Sequence, residues 1–172
     1  MKKRHSKTIY SILLRYLILL AIVAFGLKLI YAIFTPLTIG FTVFLLDLVY
    51  NLSSKGSLIL IDNLTGIVII PACVAGSAYL LLLILNLTID MKKEIRIKSI
   101  LYSFALLFIL NIIRIVILAS LYHQQVAYVE FTHAILWYGL STLFVIAIWF
   151  QTVKKFKIKR IPFYSDYKTL TT

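Results

Sequence analysis

Long apolar blocks alternate with short polar ones along this chain. Residues 10–34, 67–89, 99–122 and 132–153 each form a block long enough to cross a hydrocarbon core, which takes roughly 20 apolar residues. None shows the polar face that a water-soluble helix needs. The pattern predicts an all-α, polytopic integral membrane bundle with four spanning helices. A fifth apolar stretch, 37–52, is shorter, follows Pro36 and contains Asp47. It is expected to lie in the outer interface or to re-enter, with a full fifth crossing as the alternative. Residues 53–66 hold the run LILID, flanked by glycine and asparagine, and predict a short strand or hairpin.

Composition agrees with the pattern. Of 172 residues, 62% are hydrophobic and 14% charged, against about 45–50% and about 25% in soluble domains. The solvent for most of this chain is therefore a bilayer. Charge then orients it. The net charge is +12, from 18 Lys and Arg against 6 Asp and Glu. Fourteen of the basic residues fall in three places: Lys2, Lys3, Arg4 and Lys7; Lys92, Lys93, Arg96 and Lys98; and Lys154, Lys155, Lys157, Lys159, Arg160 and Lys168. Positive-inside bias assigns all three clusters to the cytoplasm. Four crossings satisfy this and leave Lys55 as the only basic residue in the outer loops, whereas five would put the last two clusters outside.

These clusters account for the positive charge without nucleic acid as a partner. They divide the chain into a basic cytoplasmic N-terminus (1–9), one membrane domain (10–153) and a basic cytoplasmic tail (154–172). The expected location is the cell membrane, crossed several times. The N-terminus imitates a signal peptide, but its apolar run exceeds the usual 7–15 residues and lacks a small-residue cleavage site. It reads as a retained anchor, with Arg15 snorkelling back to the cytoplasmic interface. One cysteine excludes an internal disulfide and any multi-cysteine metal site. With three histidines in all, no metal or other cofactor is expected.

The predicted topology brings three reactive residue types towards the outer face. Arg114 lies within the apolar run LFILNIIRIVIL. A central arginine costs about 2.5–3.5 kcal/mol on insertion scales and marks a functional position by default. The alternative is an arginine that snorkels to headgroups. Asn111, three residues earlier, shares its helical face and is expected to hold the guanidinium. Cys73 lies in IIPACVAGSAY, six residues into the second block. A lone membrane cysteine is usually a small apolar filler. Pro71, however, suits a first helical turn, where free N–H groups and the helix dipole favour a thiolate. Gly76, one turn on, is expected to leave room for an approaching chain or ligand. His133 opens the fourth block, with Glu130 three residues before it to orient or charge its ring. Its alternative role is as an interfacial histidine in an aromatic belt of Tyr128, Phe131, Trp137 and Tyr138. His123, in the outer loop, is the fallback base.

Together these types form a set for acyl transfer. Cysteine supplies a nucleophile, histidine a proton for the leaving amine, and arginine a fixed positive donor for an oxyanion.

At these residues the chain resembles the archaeosortase/exosortase family of membrane transpeptidases, and within it a short archaeal member. The likeness rests on PACVAG around Cys73, NIIR ending at Arg114, THAILWYGLSTLF beginning beside His133, and the basic loop between the first two motifs. It covers roughly residues 60–153. The resemblance implies an extracytoplasmic catalytic set of Cys73, Arg114 and His133, with Asn111, Gly76 and Glu130 in support. One departure stands out: the family pattern is cysteine, a small residue, then glycine, whereas here Val74 and Ala75 precede Gly76. The implied substrates are secreted surface proteins ending in a short motif, a transmembrane helix and a basic tail. The implied acceptor is an amine, on a membrane lipid headgroup. A competing reading is a non-catalytic membrane subunit or small transporter in which Arg114 binds an anion or lipid headgroup.

Overall fold

The computed structural model describes residues 2–89, 91–128, 131, 135 and 141–158. Its first element, α1, is a single helix from Lys2 to Asp47 that runs straight through Pro36. The 37–52 stretch therefore does not form a separate interfacial or re-entrant helix: residues 37–47 continue α1, and the chain then turns into a strand. Proline removes one N–H donor from the helix. Apolar residues on both sides of it give the backbone no other place to satisfy its polar groups, so in apolar surroundings the helix persists. Among the described residues, Phe25–Asp47 of α1 is long and apolar enough to span; it overlaps the end of the expected 10–34.

The buried side of α1 recurs every four residues, at Ile30, Thr38, Thr42 and Leu46, with Phe34 packed on the core at the skipped step. Four residues slightly exceed one helical turn, so these positions make one seam. Phe25, Leu29, Phe41 and Phe44 lie exposed on the other sides, as expected of a helix solvated by lipid.

After α1 come three short antiparallel strands in the order β1 (Leu52–Lys55), β2 (Leu58–Ile61), β3 (Thr65–Val68). The fold is thus not purely helical, and the LILID run is the central strand. Gly56, at φ +63°, opens the two-residue turn between Lys55 and Leu58. Asp62 and Asn63 occupy left-handed conformations in the next turn, which short polar side chains tolerate best. Ile59 and Ile61 are fully buried, and Ile61 clusters with Leu46 of α1 and Ala119. The sheet is therefore a cap on one end of the bundle.

The expected second span, 67–89, is composite. Its first residues finish β3, Pro71–Val74 form a 3-10 turn, and the α-helix proper, α2, covers Gly76–Thr88. The third expected span lies within α3, Lys93–His123. Of the fourth, the part from 141 onward lies in α4, Ser141–Lys155, and most of 132–140 falls outside the described residues. Among the described residues, three segments are long and apolar enough to cross a membrane: Phe25–Asp47, Pro71–Thr88 and Lys93–His123.

Helices α1, α2, α3 and α4 meet in one core of Ile30, Tyr79, Leu82, Leu107, Val145 and Ile148. Phe34 stacks on Tyr79 at 4.1 Å between ring centroids, and Phe104 meets both rings edge-on. At the end opposite the sheet, Ser99 donates to the fully buried Asn86, whose amide donates to the carbonyl of Leu82 at 2.8 Å. Arg96 donates to the carbonyl of Ile89 at 2.9 Å, placing a cation where the α2 dipole ends negative. These contacts tie α2 to α3 across their short connection and set the depth at which the two helices face each other.

Candidate functional site

The strand β3 leads into the 3-10 turn that carries Cys73, so this residue is not on an α-helix. Its N–H donates to the carbonyl of Ile70 at 2.8 Å and is not one of the free donors expected at a helix start. Ala75 then adopts φ 60°, ψ 37°, the left-handed conformation, and its carbonyl accepts from Ala78 and Tyr79 as α2 begins. For a residue with a β-carbon this conformation costs about 1–2 kcal/mol. The reversal separates Cys73 from the helix and leaves it as a half-buried free thiol.

Two side chains of α3 converge on this turn. Asn111 donates through Nδ2 to the carbonyl oxygen of Cys73 at 2.9 Å. Arg114 makes a longer contact to the same oxygen, 3.5 Å from Nη2, and its Nη1 donates to the hydroxyl of Ser141 at 2.6 Å. Asn111 and Arg114 are 2% and 6% exposed, so both polar groups are withdrawn from surrounding solvent or lipid. Sequence placed Asn111 as the holder of the guanidinium. Its amide instead shares an acceptor with it, because the Cys73 turn inserts its carbonyl towards both.

Gly76 does not leave an open approach. A β-carbon there would stand 2.5 Å from the Tyr31 ring, so the missing side chain admits Tyr31 of α1. The glycine serves close packing of α1 on the start of α2.

His123, the fallback base, belongs to the sheet. Its Nδ1 lies 3.0 Å from Thr65 Oγ1 and its Nε2 3.2 Å from Asp62 Oδ2, while Tyr50 meets the ring edge-on at 5.0 Å. It stands nine residues beyond Arg114 on α3, about 13 Å along the axis. With both ring nitrogens engaged, it fastens the β2–β3 hairpin to the end of α3. His133 and Glu130 lie outside the described residues.

Ser141, Ala75 and Tyr31 were not legible as parts of this site. Ser141 was one of several serines in apolar blocks. The available signal was its four-residue spacing back through Trp137 to His133. Tyr31 had no signal, because only the packing of α1 on α2 brings it to Gly76.

No family model, no curated protein and no solved structure matches the chain. The three apolar helical segments long enough to span among the described residues mark it as a membrane protein. Among the described residues, no group of three His, Cys, Asp or Glu side chains has the geometry to hold a metal.

Proposed function

We propose that this protein is a membrane cysteine transpeptidase of the archaeosortase/exosortase kind. It cleaves the C-terminal sorting signal of secreted surface proteins and transfers the new C-terminus to an amine, on a lipid headgroup. One observation carries the reading: Arg114 and Asn111 both reach the backbone carbonyl of Cys73, which holds a buried cation beside the only cysteine. A second supports it. The family pattern has glycine two residues after the cysteine, and at that position this chain has Ala75 in a left-handed conformation, which glycine adopts without steric cost. The departure in sequence thus keeps the backbone that the pattern's glycine would favour.

In this reading the sheet end faces the extracytoplasmic side and the basic clusters face the cytoplasm. The Cys73 thiolate attacks the scissile carbonyl carbon. Arg114 is the donor for the oxyanion that develops. The carbon–nitrogen bond breaks, the leaving amine takes a proton from His133, and a thioester remains. The incoming amine then attacks the thioester, gives up a proton to His133, and releases the Cys73 thiolate. Asn111 and Ser141 are positioning residues: the first holds the Cys73 turn, the second one arm of the guanidinium.

The test is processing of a tagged secreted reporter that ends in a transmembrane helix and a basic tail, expressed with the protein. With Cys73→Ala the reporter should keep its helix. Normal processing by that variant overturns the proposal. If Cys73→Ser is silent while Arg114→Ala abolishes function, Arg114 serves instead to bind an anion or headgroup.

A further inference from the structure

The proposed reaction requires an extended peptide at Cys73, because a scissile bond inside a helix is shielded by its own hydrogen-bonded turns. One edge of the small sheet is built to hold such a peptide. In an antiparallel ladder, the N–H and C=O of one residue point to the same side, and successive residues alternate. Ile69 donates to Ser57 at 2.9 Å, and Ile67 and Thr65 stand opposite Ile59 and Ile61. Thr65, Ile67 and Ile69 therefore spend their backbone groups on β2. Those of Gly66 and Val68 point away from the sheet, along its β3 edge, where no further strand pairs among the described residues.

Among the described residues no strand pairs with this edge, and it leads to the nucleophile. Gly66 is exposed, and as a glycine it exposes only backbone. Val68, Ile70, Pro71 and Ala72 continue the exposed strip to Cys73, five residues beyond the end of β3. The two edges of the sheet also differ. The β1 edge carries Lys55, and charge is a usual way of blunting an edge against pairing. The β3 edge, Thr-Gly-Ile-Val, has no charge.

We infer that the β3 edge, through the outward backbone groups of Gly66 and Val68, binds the substrate's extended motif as a fourth strand and delivers its scissile peptide to Cys73. This rests on the transpeptidase reading and adds its mode of substrate recognition. Direction follows from the geometry. β3 runs towards Cys73 and the start of α2. A substrate descending from its secreted domain into its own transmembrane helix runs the same way, so the added strand is parallel to β3. Strand addition supplies affinity through the main chain and leaves side-chain selection to neighbouring pockets.

The experiment uses the full chain with Cys73→Ala, which holds but does not cleave, and the tagged reporter above. Amide hydrogen exchange is read at single residues. Exchange at Gly66 and Val68 should slow at least about tenfold when the reporter is bound, with Ile67, already bonded to β2, little changed. Equal rates at Gly66 and Val68 with and without retained reporter overturn the inference, as does a failure to retain it. Val68→Pro removes one outward donor and leaves the β2 ladder intact; it should weaken retention about threefold to tenfold, the worth of one hydrogen bond. Val68→Thr, which keeps the N–H, should not. Should the proline variant misfold, reporters with backbone N-methyl groups in two alternating registers replace it: only one register should lose retention, and equal retention of both overturns the inference. A reporter protected at the edge yet never cleaved by the native chain overturns the transpeptidase and leaves the edge. Unimpaired cleavage by a folded Val68→Pro overturns the edge and leaves the transpeptidase.

Discussion

The side-chain amide of Asn111 donates to the backbone carbonyl of Cys73 at 2.9 Å, across 38 residues of sequence. This bond joins α3 to the turn that carries the nucleophile, and Arg114 approaches the same oxygen from one helical turn further on. Thiol and guanidinium are thereby held in one frame even though they lie on different elements.

Replacing Asn111 with Leu should release the Cys73 turn. A hydrogen bond of this kind is worth about 0.5–1.5 kcal/mol, and the turn has few other ties to α3. The rate of Cys73 labelling by a membrane-impermeant thiol probe should change several-fold, and reporter processing should fall about tenfold with Arg114 still in place. An unchanged labelling rate would show that the turn holds itself.

Arg114 and Ser141 should be energetically coupled. The 2.6 Å contact involves a charged donor in a buried setting, for which about 1.5–3 kcal/mol is typical. A double-mutant cycle of Arg114→Gln and Ser141→Ala, read by unfolding in detergent, should return a coupling of about 1 kcal/mol or more. Arg114→Lys should not restore function, because a single ammonium cannot reproduce the planar fork that faces Ser141 and the Cys73 carbonyl together.

Ala75→Gly should stabilise the fold. The left-handed backbone at φ 60° costs alanine about 1–2 kcal/mol, partly offset by glycine's greater unfolded-state entropy. A net gain of about 0.5–1 kcal/mol in an unfolding measurement is expected, with Ala75→Val losing more than that.

Gly76→Ala should destabilise by about 1–3 kcal/mol, the usual cost of overpacking, since the new methyl group would meet the Tyr31 ring at 2.5 Å. Pairing it with Tyr31→Leu should recover most of the loss. Thermal unfolding of the single and double variants checks this.

Asp62→Ala should loosen the cap. With its Nε2 partner at 3.2 Å gone, His123 retains only Thr65 and the edge of Tyr50. Asp62 also accepts from the N–H of Asn51 at 3.1 Å, so the α1–β1 connection and the β2–β3 turn both lose a tie. Amide exchange in 58–68 should accelerate while that of the core around Tyr79 stays slow.

The sequence was informative in proportion to how locally each feature is determined. The apolar block 99–122 lies inside α3 and ends one residue short of it, although the helix begins six residues earlier, because hydrophobic length acts within the segment. The LILID strand was legible for the same reason, through its flanking turn residues. Pro36 misled. A proline signals a helix end in water, but in apolar surroundings the backbone has no alternative partner, and α1 continues to Asp47. Cys73 was placed on an α-helix because residues 67–89 are uniformly apolar. The local reversal at Ala75, set by how β3 and α2 pack, is invisible in hydropathy.

Arg114 announced itself in the sequence, since a buried cation in an apolar helix demands a reason whatever surrounds it. Which groups supply that reason was decided only by tertiary structure. Asn111 turned to the Cys73 carbonyl, Ser141 came to the guanidinium, and Tyr31 filled the space over Gly76, because each contact joins separate elements. The chain alone determined that these helices exist, that they are apolar enough to span a membrane and that one carries a costly charge, since those are properties of composition and of the length of apolar runs. Packing alone determined what that charge touches.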